Sequence, residues 1–103
     1  MKVVTVCGSM KFEKEMLDIA RELETKHGYC VIQCIYGAND RQETLEELEN
    51  IKNSHFKKID MADIVYVVDI GGYIGNTTQE EIGYALSHGK EVILHSKKDT
   101  VDL

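Results

Sequence analysis

The stretch IVYVV at 64–68, followed by DIGGYIGNTT at 69–78 and QEEIGYALSHGK leading to EVILH at 91–95, decides the fold. Five consecutive apolar residues, mostly β-branched, fit a strand covered on both faces, because a strand with one wet face alternates apolar and polar residues. The segment after the loop predicts a helix over 78–88 that stops at Gly89. EVILH then reads as another strand. Strand, helix, strand with continuous apolar strands is the signature of a parallel pair joined by a right-handed crossover.

The same unit recurs toward the start of the chain. KVVTVC at 2–7 is a β-branched run ending at Gly8 and Ser9, and Ser9 suits the N-cap of a helix. Over 11–26 the residues Phe12, Met16, Ile19, Ala20 and Leu23 recur at three and four positions, and the helix halts at His27 and Gly28. YCVIQCIY at 29–36 reads as the next strand and 37–40 as a turn. A helix follows from near Thr44 toward Asp63, with a break expected near Asn53 and Ser54. A short polar tail occupies 96–103. Sequential adjacency and right-handed crossovers leave a three-layer, flavodoxin-like or Rossmann-like α/β domain. Its parallel sheet has four to five strands in the order 2-1-3-4.

At 103 residues the chain suits one domain, and 43% hydrophobic with 29% charged residues is a globular balance that excludes a disordered chain. So small a domain gains stability by burying apolar surface against a second copy, so a homodimer or higher homo-oligomer is expected. The net charge of -6 argues against a nucleic-acid polymer as partner, since gripping a phosphate backbone takes clustered Lys and Arg. A single small nucleotide is compatible with that charge. Cys7, Cys30 and Cys34 lie in apolar stretches rather than at metal-ligand spacing and read as reduced core residues. With no apolar run of membrane-spanning length and no signal-peptide pattern, the expectation is a cytoplasmic protein with no membrane partner.

In such sheets ligands sit beyond the carboxyl ends of the strands, where the strand order reverses. Two loops meet there. Gly8, Ser9 and Lys11 join a strand to a helix, so backbone N–H groups, a hydroxyl and an ammonium can hold an anion. The competing reading is an ordinary helix start, and neither the P-loop nor the dinucleotide fingerprint is present. The loop 69–78 is long for a strand-to-helix connection, which takes about 2 to 6 residues. Within it Gly75, Asn76 and Thr77 are candidate ligand contacts. Tyr73 either stacks on a base or sugar or closes the loop onto the domain. Glu80 and Glu81 follow, either as first-turn carboxylates capped by Thr77 or Thr78, or, for Glu81, as a nucleophile held near the pocket floor by close packing at Gly83 and Ala85. A carboxylate there can attack an anomeric carbon and form a covalent sugar-enzyme intermediate.

From Val3 to His95 the chain resembles the nucleoside 2-deoxyribosyltransferase superfamily, which includes the 2'-deoxynucleoside 5'-phosphate N-hydrolases. The resemblance rests on Val6-Cys7-Gly8-Ser9, similar to the hydrolases' phosphate loop. It rests also on Ala62-Asp63 through Glu81-Ile82-Gly83-Tyr84-Ala85 to Gly89-Lys90. It implies a flavodoxin-like fold, oligomers with pockets near subunit interfaces, no metal and no cofactor. The implied reaction is cleavage of the N-glycosidic bond of a small deoxynucleoside or its 5'-monophosphate, or deoxyribosyl transfer, with Glu81 as nucleophile. The chain departs from the family pattern in three places. Thr5 stands where a tyrosine helps position the nucleophile, His55 where an aspartate lies near sugar and base, and Lys11 where the hydrolases carry arginine. His55 or Asp69 is then the expected proton donor to the leaving base. A non-catalytic protein that binds a nucleotide or a nucleotide-derived signal is the alternative, favoured by Thr5 and His55. A pure assembly scaffold leaves the long glycine-rich loop without use.

Overall fold

The computed structural model of the protein describes residues 1–37 and 42–100, the last three as backbone alone. The turn expected over 37–40 and the end of the polar tail fall largely outside them. Strands β1 (Val3–Gly8), β2 (Cys30–Ile32), β3 (Ile64–Val68) and β4 (Glu91–Leu94) form a four-stranded, all-parallel sheet ordered β2-β1-β3-β4. The helices α1 (Glu13–Thr25), α2 (Leu45–Asp60) and α3 (Asn76–Ser87) supply the crossovers. Because the chain leaves β1 toward one edge and returns to the other, right-handed crossovers put α1 on one face and α2 with α3 on the opposite face. Strand alternation follows this division. Val4, Val6, Ile64, Tyr66 and Val68 pack on Met16, Ala20 and Leu23 of α1. Cys7, Val65 and Val67 pack on Ile59 of α2 and Ala85 of α3, with Ala62 between. The result is the three-layer α/β architecture that the apolar runs predict. No helix among the described residues is long and apolar enough to cross a membrane.

Four local departures shape the site. α1 starts later than expected, after a 3-10 turn over Met10–Phe12, where Ser9 Oγ accepts a long bond from the Lys11 N–H at 3.4 Å. α2 runs unbroken through Asn53 and Ser54. Both are exposed, so they cost only weak propensity, while a reciprocal Thr44–Glu47 capping box secures the first turn. The second strand pairs over Cys30–Ile32 alone rather than over 29–36, because the chain then peels away from β1. There the Gln33 carbonyl accepts from Lys58 Nζ at 3.0 Å and the Gln33 side chain from the Tyr36 hydroxyl at 2.8 Å. The cysteines are corrected by the same geometry. All three are free thiols, but only Cys7 is in the core, whereas Cys34 is half-buried and Cys30 is exposed on the edge strand. Gly8 is required for packing: a Cβ there would lie 2.9 Å from Met16 Sδ and 3.1 Å from the Val68 carbonyl.

Candidate functional site

The divergence of the chain after β2 opens a cavity of about 450 Å³ at the carboxyl ends of the strands. Its walls are the end of β1 (Gly8, Ser9), the segment with Cys34 and Ile35, one stripe of α2, and the first turns of α3. The α2 stripe is Leu48, Ile51, Lys52, His55 and Lys58, spaced at three and four residues on one helical face. The sequence shows that periodicity but not that Lys52 and Lys58 belong to it, because charged residues in a helix ordinarily face solvent. Here Lys52 Nζ pairs with Glu80 at 3.3 Å, and Lys58 is tied to Gln33.

The start of α3 decides where Glu81 points. The helix begins at Asn76 with Gly75 as N-cap, two residues before the expected start, and no side chain caps it. The first turn therefore holds no acidic residue, and the anticipated Thr–Glu capping box does not form. Thr78, Glu81, Ile82 and Ala85 become the inward stripe, while Glu80 faces out to Lys52. Gly83 lies on the exposed face with open space around it, so close packing comes from Ala85 alone. The N–H groups of the first turn of α3, on Asn76, Thr77 and Thr78, lie along the cavity wall, where partial positive charge favours an anion or polarised oxygen.

On the floor, Glu81 Oε2 lies 3.4 Å from His55 Nε2, and the same nitrogen lies 3.2 Å from Cys7 Sγ. The two side chains are 13% and 9% exposed, so their charged forms are poorly hydrated. Burial, with a lesser push from Glu80, raises the Glu81 carboxyl from 4.5 to about 7. Burial, with the Lys58 charge, lowers the His55 imidazole from 6.5 to about 4. Although 3.4 Å is within ion-pair reach, each group is thus held against the charge that an imidazolium–carboxylate pair requires. At neutral pH His55 is uncharged and Glu81 is divided between carboxyl and carboxylate. Burial and the Glu81 charge likewise hold the Cys7 thiol well above its usual range, so it stays protonated.

Several of the expected site residues lie elsewhere. Asp69 is 2% exposed and outside the cavity wall, where its two oxygens accept from the Ser96 N–H and hydroxyl, both at 2.7 Å. It fastens the end of β3 to the chain after β4, and both of its oxygens are taken up by Ser96. Lys11 and Tyr73 also stand off the cavity: the Lys11 ammonium sits 3.3 Å from the Tyr73 ring centre, and that ring meets Phe12 edge-on at 6.0 Å. In this structure the Tyr73 ring lies against Phe12 and Lys11 rather than on the cavity wall. Gly71 and Gly72, at φ 63° and 81°, form the bend that carries it there. Thr5 Oγ1 donates to the Lys58 carbonyl at 2.8 Å and anchors α2 on β1. Gly8, Ser9, Gly75, Asn76, Thr77, His55 and Glu81 do converge on one cavity.

Neither a protein-family model nor a curated protein matches the chain in sequence. Among solved structures it is similar to "2-desoxiribosyltransferase from Leishmania mexicana", with a TM-score of 0.63 and 20% identity over 91% of this chain. The chain spans 63% of the length of that protein. At this identity the likeness shows a shared α/β fold.

Proposed function

We propose that the protein cleaves or transfers the N-glycosidic bond of a deoxynucleoside or deoxynucleoside 5'-monophosphate through Glu81. The observation that carries the reading is a single carboxylate in the described cavity wall, buried at its floor and backed by His55. The solved deoxyribosyltransferase of similar fold supports the same class of chemistry. In its ionised form Glu81 attacks the anomeric carbon, the base departs, and water or a second base resolves the glycosyl ester.

His55 takes a different part from the proton donor that its sequence position suggests. An imidazole held near 4 carries no spare proton at neutral pH, so it positions the nucleophile by donating Nε2–H to the Glu81 carboxylate. That is the task the related enzymes give to a tyrosine at the position of Thr5. Lys58, on the cavity wall, supplies positive potential toward which a departing base moves, and solvent at the open side protonates it. A 5'-phosphate fits the Gly8 and Ser9 end of the cavity beside the first turn of α3, without Lys11.

The test is chromatographic measurement of free base across deoxynucleosides and their 5'-monophosphates. Glu81→Ala is expected to lose at least about a thousandfold in rate with the fold retained. An unchanged rate in that variant sinks the mechanism. Tight nucleotide binding with no base released over long incubation establishes a binding protein instead.

A further inference from the structure

Cys7, His55 and Glu81 present one sulfur, one nitrogen and one oxygen that all lie within 4.8 Å of one another. Two sides of this triangle are 3.2 Å and 3.4 Å. Ligands of a tetrahedral zinc ion, with bonds of about 2.0 to 2.3 Å, stand about 3.3 to 3.6 Å apart, so these two sides already suit the ion and the third, within 4.8 Å, would close on it. A thiolate, an imidazole and a carboxylate together suit Zn²⁺ and exclude the hard cations Mg²⁺ and Ca²⁺, which take oxygen.

The three come from β1, α2 and α3; His55 and Glu81 line the cavity through which an ion can enter, and Cys7 is buried directly behind His55. The remaining coordination position is open to water. Cys34 lines the same cavity without being one of the three close donors. Coordination releases the Cys7 proton to solvent. The ion's two charges then balance one thiolate and one carboxylate in a place where neither is well hydrated alone.

We propose that this cluster is a Zn²⁺ site, and that zinc bound there occupies the Glu81 carboxylate and so switches the site off. The inhibitory half rests on the function proposed above; the binding half does not. Coordination through Nε2 leaves the remaining imidazole proton on Nδ1, which is buried without a hydrogen-bond partner. Metal-bound histidines normally donate that proton to an acceptor, so the affinity falls short of a closed structural zinc site.

The test titrates the metal-free chain with Co²⁺, reading thiolate-to-cobalt absorption, and with Zn²⁺ in competition with a chromophoric chelator. The expected result is one ion per chain with a thiolate signal, weakened at least about tenfold in Glu81→Gln and in Cys7→Ser. Cys30→Ser and His88→Gln, which remove exposed donors, leave binding intact. Should Cys7→Ser fail to fold, Glu81→Gln and His55→Gln, each expected to weaken binding, carry the comparison. Absence of a thiolate signal, or binding unchanged in Glu81→Gln, overturns the proposal. Cobalt absorption reads the ion whether or not any base is released, so failure of the site and failure of the proposed reaction are separate results. Where base release is found, zinc is expected to suppress it and chelator to restore it; undiminished activity in the zinc-loaded protein overturns the inhibitory half.

Discussion

Replacing Glu81 by glutamine is expected to stabilise the protein, by an amount that grows with pH. Burial raises the folded-state carboxyl to about 7 against an ordinary 4.5, so the folded chain holds this proton more tightly than the unfolded chain does. Stability is therefore lost as pH rises from about 4.5 through about 7, and the loss is complete above that. At about 1.4 kcal/mol per pH unit the interval amounts to about 3 kcal/mol, an upper figure because the side chain keeps some contact with water. His55 acts in the opposite sense. Its imidazole is lowered from 6.5 to about 4, so stability is lost as pH falls through that interval. In the wild type the two slopes oppose each other over their shared range, and the pair contributes little net pH dependence. Glu81→Gln removes one slope and leaves the other. The melting temperatures of variant and wild type, followed by circular dichroism in chelator-containing buffers, should be close near pH 4.5. They should separate by on the order of 10 °C above pH 8, the variant being higher. A difference that stays constant across this range refutes the claim that burial holds a proton on Glu81. A residue that costs stability where the protein works is the pattern expected of a group kept for chemistry.

The rate of base release should rise with pH through about 7 as Glu81 ionises, and His55→Gln should lower the rate while retaining that limb; a wild-type limb that falls with rising pH and disappears in His55→Gln would return the proton-donor role to it. Asp69→Ala should cost about 2 kcal/mol in urea unfolding by leaving the Ser96 donors unpaired, with KM unchanged in the folded fraction; a changed KM would place Asp69 at the ligand. Gly8→Ala should destabilise by about 1 to 3 kcal/mol, since Met16 can shift but the Val68 carbonyl is backbone; a neutral substitution would show that β1 and β3 separate more easily than their pairing indicates.

The order and type of the elements were legible in the sequence because each is dictated locally. IVYVV cannot alternate and so must be covered twice, while Gly28 and Gly89, at φ 70° and 71°, terminate helices whatever the rest of the chain does. Glu81 was legible as a candidate from its family resemblance and its place after a long loop. Its surroundings were not. That β2 ends at Ile32 depends on what β1 can pair with, and that early end makes the cavity. The start of α3 at Asn76 rather than two residues later turns Glu81 inward and sends Glu80 to Lys52. Asp69 looked like a catalytic carboxylate until the chain after β4 supplied Ser96 to both of its oxygens. Periodicity and capping act over a turn or two of chain and can be read along the sequence. The charge state of Glu81 and His55 comes from residues tens of positions apart that exclude water together, and only the tertiary structure decides it.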